Sequence, residues 1–264
     1  MDLQLKGKTA LVTGSTQGIG FAIAQQLLQE GATVIINGRT TARIDEAITR
    51  LKKEVPGAKV SGVPADFSKA AEVEALLKAV PDVDILINNA GIFEPKAFVD
   101  IPDEEWFRFF EINVMSGIRL SRHYFPKMLA KNWGRIIFIA SESAIMIPKE
   151  MIHYGFTKTA QLSVSRGLAE LTVGTGVTVN SVLPGPTRSE GVDEFIKQLG
   201  ASKGMNPEEA EADFFQTDRP SSLLQRFATV QEIANLVTYT ASPLAAATNG
   251  AALRADGGLV RSII

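Results

Sequence analysis

The chain has 264 residues, 45% of them apolar and 21% charged, with a formal net charge of −2. This is a globular composition with enough apolar side chains for a large core, unlike a disordered chain. The near-neutral balance gives no electrostatic reason to expect nucleic acid or an anionic membrane as a partner. Cysteine is absent, and the two histidines, His123 and His153, stand far apart in sequence. No disulfide, thiolate site or metal-ligand spacing is therefore readable. No basic region followed by a long apolar run opens the chain, and no apolar stretch is long enough to span a bilayer. The expected location is the cytoplasm.

In chain order, strands are predicted over 9–14, 32–38, 59–66, 84–91, 135–141, 177–185 and 250–258. Helices are predicted between them, over 18–30, 41–54, 69–79, 103–131, 152–173 and 229–241. The middle strands are apolar at consecutive positions, as strands covered on both faces are. Regular alternation of strand and helix implies an α/β fold, a doubly wound parallel sheet with helices on both faces. No linker-like composition divides residues 1–264, so one domain is expected. Residues 186–228 interrupt the alternation with a long connection after a strand end, where α/β ligand sites gather. This stretch reads as a substrate-binding lid, with Phe195, Phe214 and Phe215 as candidate apolar walls.

The first strand leads into TGSTQGIG and then an amphipathic helix. Gly14 permits a sharp turn, Gly18 lets backbone approach a diphosphate, and Gly20 lets the helix pack closely on the sheet. Free N–H groups at the helix start, around Ser15, Thr16 and Ile19, then face an anion. Strand before and helix after meet the context requirement for a dinucleotide cradle. At the end of the second strand an acid would bind a ribose diol and repel a 2′-phosphate. The sequence there reads IINGRT, with Gly38 in that place and Arg39 next. A guanidinium pairs with a phosphate, so NADP(H) is the expected preference, the alternative being that NAD(H) is accepted as well.

TGSTQGIG, NNAG at 88–91 and YGFTK at 154–158 occur in that order. With INVMSG, IASESA, LPGPTR and ADGG, they make the chain resemble the short-chain dehydrogenase/reductase family, in its single-domain branch, over nearly its whole length. The resemblance implies a seven-stranded Rossmann-like sheet, a homotetramer and hydride transfer between a nicotinamide cofactor and a carbonyl or secondary alcohol. It implies Tyr154 as acid–base residue and Lys158 as its partner and as a ribose ligand. Helical spacing independently puts these two on one face, and an ammonium nearby is expected to lower the phenol's pKa. Ser141 is implied to hold the substrate oxygen, and it is favoured over Ser143 on spacing. Asn113 is implied to hold a water for proton relay, the plainer reading being a helix kink with a local bond.

The same resemblance sets Asn88, Ala90 and Gly91 against the adenosine ribose and Asp66 against the adenine amino group. Asp66 also reads as the N-cap of the following helix. Pro184, Gly185 and Thr187 are implied to flank the nicotinamide. Two neighbours are expected to be less involved. Strand alternation should turn Glu142 away from Ser141, as a solvated or paired surface acid. His153 reads as a partly exposed helix-start residue, with a second proton group or a substrate contact as the alternative. Reduction of a 3-oxoacyl thioester is the alternative reaction. A non-catalytic nucleotide sensor is the alternative class, disfavoured because Tyr154 and Lys158 are both present.

Overall fold

The computed structural model describes residues 1–263. Seven parallel strands form the central sheet: β1 (Thr9–Val12), β2 (Thr33–Gly38), β3 (Val60–Pro64), β4 (Ile85–Asn88), β5 (Gly134–Ile139), β6 (Val177–Pro184) and β9 (Ala252–Ala255). Their order is β3-β2-β1-β4-β5-β6-β9. The chain winds outward from β1 to β3, then crosses back to lay β4 on the other side of β1. That reversal opens a crevice at the carboxyl ends of β1 and β4, the position where doubly wound sheets bind ligands.

Consecutive apolar residues are needed because both faces are covered. In β1, Ala10 and Val12 enter one apolar cluster while Leu11 enters the other. In β5, Ile137 and Ile139 face the first cluster, and Ile136 and Phe138 the second. Strand side chains alternate in direction, so a run of apolar residues feeds two cores. The first core is closed by α1 (Gly18–Gln29), α2 (Thr41–Glu54) and α9 (Val230–Ala241), which contribute Leu27, Leu51 and Ile233. The second is closed by α3 (Ala70–Ala79), α5 (Ser116–Ala130) and α6 (Ile152–Glu170), which contribute Leu76, Leu120 and Ala169.

The helix expected over 103–131 is not uniform. It divides into α4 (Asp103–Phe110), a π-helical stretch over Glu111–Met115, and α5. The π stretch is centred on Asn113, and such interruptions concentrate at functional sites.

The excursion at 186–228 is folded. Short strands β7 (Thr187–Arg188) and β8 (Ala228–Thr229) pair at its base, and α7 (Glu190–Lys203) and α8 (Pro207–Thr217) form its body. Ile196, Ala210, Phe214, Phe215 and Phe227 give it an apolar cluster of its own. Asn206 caps α8 and Glu209 returns the bond, a complete capping box. No helix among the described residues is long and apolar enough to cross a membrane.

Candidate active site

The glycine turn is held by side chains from three segments, Thr13, Asn37 and Asn89. Gly14 and Gly18 have φ of 58° and 59°, in the left-handed region that favours glycine. Gly20 is required by space: a Cβ there would lie 2.5 Å from the Asn89 amide nitrogen and from the Gly14 carbonyl oxygen. Asn37, buried in β2, accepts from the Gly14 N–H at 3.1 Å. Thr13 Oγ1 accepts from the amides of Asn89 and Ala90, each at 2.9 Å, tying β1 to the segment after β4. Asn89 Nδ2 donates to the carbonyls of Thr13 and Gly14 at 2.9 and 3.0 Å. Thr13, Asn37 and Asn89 were all missed in the sequence; an asparagine inside the apolar run TVIING was the available signal. The Ser15 hydroxyl is spent inside the turn, donating to the Val12 carbonyl at 2.6 Å and accepting from the Asn37 amide at 3.0 Å. Helix α1 begins at Gly18 with no side-chain cap, so its first N–H groups have no capping acceptor. This arrangement fits a diphosphate: two left-handed glycines, a packed third and uncapped helix-start donors.

Residues at the ends of β2 and β3 continue the same edge. Gly38 leaves room for Thr16, whose methyl would lie 2.5 Å from a Cβ at that position. Arg39 is exposed beside it. Asp66 is not the N-cap of α3. Its carboxylate accepts from the Ser68 amide at 3.0 Å and hydroxyl at 2.8 Å, while α3 starts later, at Ala70. The Ser68 amide is the main cause holding Asp66 below the usual carboxylate range. Asn88 is buried, with Nδ2 on the Ser121 hydroxyl at 3.3 Å, and stands behind the crevice.

A cleft of about 270 Å³ opens at the carboxyl ends of the strands. It brings together Ile19, Gly91, Ser141, Tyr154, Lys158 and the Pro184–Gly185–Thr187 turn. Phe195, Phe214 and Phe227 wall it from the excursion, whereas Phe215 packs into the excursion's own cluster. Gly185 allows the turn to press on Asp256, whose carbonyl oxygen would lie 2.7 Å from an added Cβ. Thr187 Oγ1 donates to the Gly185 carbonyl at 2.8 Å.

Ser141 lies just beyond β5 and accepts from the Ser143 amide at 3.1 Å, capping a short 3₁₀ turn. This turn ends the strand alternation and reverses the expectation for Glu142. The Glu142 side chain does not point away into solvent. It is 6% exposed, lines the cleft, and accepts from the Ser141 hydroxyl at 2.5 Å and the Ser143 hydroxyl at 3.2 Å. Burial pushes its carboxyl up, against the pull of the Ser141 hydroxyl and Arg219. Arg219 comes from the excursion and pairs with Glu150 at 3.0 Å, so both sides of the cleft carry charge.

Tyr154 and Lys158 lie one turn apart on α6, with the Lys158 nitrogen 5.6 Å from the tyrosine ring centre. The expected lowering of the phenol's pKa is not what this geometry gives. Enclosure of the hydroxyl pushes Tyr154 up, and the nearby Glu142 adds to the rise. Burial also pushes Lys158 down, to about 8, opposed by Glu142. The tyrosine therefore carries its proton near neutral pH. The Lys158 nitrogen donates to the Ile139 carbonyl at 2.9 Å and to Gln161 Oε1 at 3.3 Å.

Asn113 stands behind the lysine. Its Oδ1 accepts from the Ile92 amide at 2.8 Å, and its Nδ2 donates to the Ile92 carbonyl and Thr157 Oγ1, each at 3.0 Å. The side chain thus ties the loop after β4 to α6. His153, next to Tyr154, is fully buried rather than partly exposed and takes no part in the cleft. Its ring lies 4.1 Å from Phe109 and 6.0 Å from Trp106, and neither nitrogen has a hydrogen-bond partner.

A parallel sheet reversing at a glycine turn, with a tyrosine–lysine pair and a serine across the crevice, defines a nucleotide-dependent oxidoreductase. The chain belongs to the short-chain dehydrogenase family, whose family model matches residues 8–200. It is thus an NAD(P)-dependent oxidoreductase of that family. It is 54% identical to an uncharacterized oxidoreductase, YvaG, of Bacillus subtilis (strain 168), with all of both chains covered. It is 35% identical to D-beta-hydroxybutyrate dehydrogenase of Cupriavidus necator, over 97% of this chain and 99% of that one. Among solved structures, L-sorbose reductase from Gluconobacter frateurii, complexed with NADPH and L-sorbose, superposes with a TM-score of 0.93. That match is 31% identical and covers 100% of both chains.

Proposed function

We propose that this enzyme reduces a carbonyl to a secondary alcohol with NADPH, and that Tyr154 is the proton donor. The carrying observation is that Tyr154, Lys158 and Ser141 share one cleft with the glycine turn and the Thr187 turn. When bound, the nicotinamide supplies the hydride. Thr16, Gly18, Ile19 and Gly20 offer backbone N–H groups to the diphosphate, while Gly14 and Ser15, whose N–H groups are bonded to Asn37, shape the turn around it. Asp66, Asn88, Ala90 and Gly91 border the adenosine half, and Pro184, Gly185 and Thr187 the nicotinamide. Tyr154 holds its proton at Oη near neutral pH, the form that a proton donor to a carbonyl oxygen needs. Ser141 steadies the same oxygen once its hydroxyl turns from Glu142 to donate to it. Lys158 holds positive charge behind the phenol as Tyr154 loses its proton, and it also faces the ribose. Asn113 fixes the loop that passes beside Lys158.

The aromatic wall of Phe195, Phe214 and Phe227 suits a moderately apolar ketone. The NADP(H) preference is supported by an exposed Arg39 following Gly38, with no acid at the end of β2. Exposed Phe98, Phe107 and Phe156 support assembly into a homotetramer. Dependence on the intracellular nicotinamide pool makes the cytoplasm the proposed location.

A panel of ketones, acetoacetyl thioesters and secondary alcohols, followed by nicotinamide absorbance with each cofactor, tests the reading. Turnover of simple ketones with NADPH is expected. Turnover of thioesters alone would replace the substrate class, and no turnover on the panel would remove the reading. For Arg39→Ala, the KM for NADPH should rise roughly tenfold or more, the cost of a charged hydrogen bond, with NADH kinetics unchanged. Equal losses with both cofactors would make Arg39 structural.

A further inference from the structure

Gln161 is buried at 2% exposure on α6, one turn beyond Lys158. No motif includes it. Its Oε1 accepts from the Lys158 nitrogen at 3.3 Å, and its Nε2 donates to the backbone carbonyl of Asn113. The orientation of the amide is fixed by chemistry. An ammonium only donates and a carbonyl only accepts, so the Gln161 oxygen must face Lys158 and its nitrogen must face Asn113. The accepting carbonyl lies within the π-helical stretch Glu111–Met115. The Asn113 side chain is already committed to Ile92 and Thr157. Helix α6, the π-helical stretch and the loop after β4 therefore close one hydrogen-bonded ring around the lysine.

We propose that Gln161 is the positioning residue of this site: it orients the Lys158 ammonium and favours its charged form by bridging it to the Asn113 carbonyl. The proposal rests on the reading of Tyr154 and Lys158 as the reacting pair. Family resemblance puts a water between Asn113 and Lys158, and here an amide spans them. An amide neither gains nor loses a proton near neutral pH. The bridge therefore fixes charge and does not carry protons. With Ile139 and Gln161 taking two of the three ammonium hydrogens, the third is left for the cleft side.

The charged or titratable groups around Lys158 are Tyr154 on its own helix and Glu142 on the turn after β5. Glu105 and Arg108 of α4 act on His153 instead, and Glu111 pairs with Arg119. A shift in Lys158 titration on changing Gln161 is thus attributable to the bridge, since the other neighbours are untouched.

The test is Lys158 titration in cofactor-free protein, followed by NMR of lysine labelled with ¹³C at Cε and assigned with Lys158→Met. Gln161→Leu removes the acceptor and should lower the midpoint. Gln161→Glu adds a negative charge at the same place and should raise it by about one pH unit or more. In turnover, Gln161→Leu should lose about tenfold in kcat with the KM for NADPH little changed, since the cradle is intact. An unmoved midpoint in Gln161→Leu overturns the proposal. Should that variant fail to fold, an unmoved midpoint in the near-isosteric Gln161→Glu overturns it equally. Wild-type protein that turns over no carbonyl would defeat the functional reading, yet the titration would still decide the bridge.

Discussion

Along one side of α6, Thr157, Lys158 and Gln161 each meet hydrogen-bond partners from other segments. One residue before Tyr154, His153 packs against the rings of Phe109 and Trp106 with no hydrogen bond to either nitrogen. Both regions are buried, and both hold a group whose charged form burial disfavours. The difference lies in what surrounds each group. Lys158 is desolvated but supplied with acceptors, so its charge is sustained close to the cleft. His153 is desolvated with nothing to bond, so its neutral form is enforced and its burial is packing. Proximity to the reacting tyrosine does not by itself make a side chain chemical.

The largest effect that would break this comparison belongs to Tyr154→Phe. Turnover should fall by about 10²–10⁴-fold, the usual contribution of a positioned proton donor. NADPH affinity, measured by fluorescence titration, should stay close to wild type because the phenyl ring is retained. A variant that kept its turnover would move the chemistry off α6 and make the bonded side as inert as the dry one.

The sheet was legible because its strands are built on runs of apolar residues; six of its seven strands fall inside their predicted spans, and β5 begins one residue earlier, at Gly134. The long helix was read as continuous, whereas it holds a π-helical turn at Asn113, whose side chain bonds Ile92 and Thr157 from distant parts of the chain. Glu142 was misread for a related reason. Strand alternation was carried past Ile139, where the backbone has already turned into the 3₁₀ cap set by Ser141. The motif residues Gly14, Gly18, Gly20, Ser141, Tyr154 and Lys158 were readable because local spacing and order betray them. Thr13 and Asn89 stand inside quoted motifs and Asn37 inside an apolar run, but the tertiary hydrogen bonds through which they and Gln161 act are not written in spacing.

Glu142 sharpens the comparison with an intermediate case, a buried titratable group with hydrogen bonds but no formal ion pair. An unfolded glutamate loses its proton near pH 4.3. In the fold, burial holds the carboxyl above that value. Between the two, the folded state binds more protons, so its stability falls as pH rises through that window. Glu142→Gln removes the charge and should flatten this dependence. Urea midpoints should show a gain of roughly 1–3 kcal/mol at pH 8 and a much smaller gain at pH 4. An equal change at both values would mean that the carboxyl is not held above its ordinary range.

The smallest effect is expected on the dry side, at His153. An unfolded histidine takes up a proton below about pH 6.5. In the fold, burial holds the ring below that value, with Glu105 and Glu94 opposing only in part. The unfolded state therefore binds more protons as pH falls below 6.5, and stability drops until the folded ring itself titrates. His153→Phe keeps an aromatic ring against Phe109 and Trp106 while deleting two unpartnered nitrogens. At pH 7.5 the variant should be more stable by about 1 kcal/mol, since unpaired buried polar groups cost that much or more. At pH 5.5 its advantage should widen, because only the wild type loses stability on acidification. Turnover should remain within about twofold of wild type, as a residue acting only in packing predicts. A fall in kcat with an unchanged melting temperature would place His153 in the chemistry, and the two sides of α6 would no longer divide as partner-rich and dry.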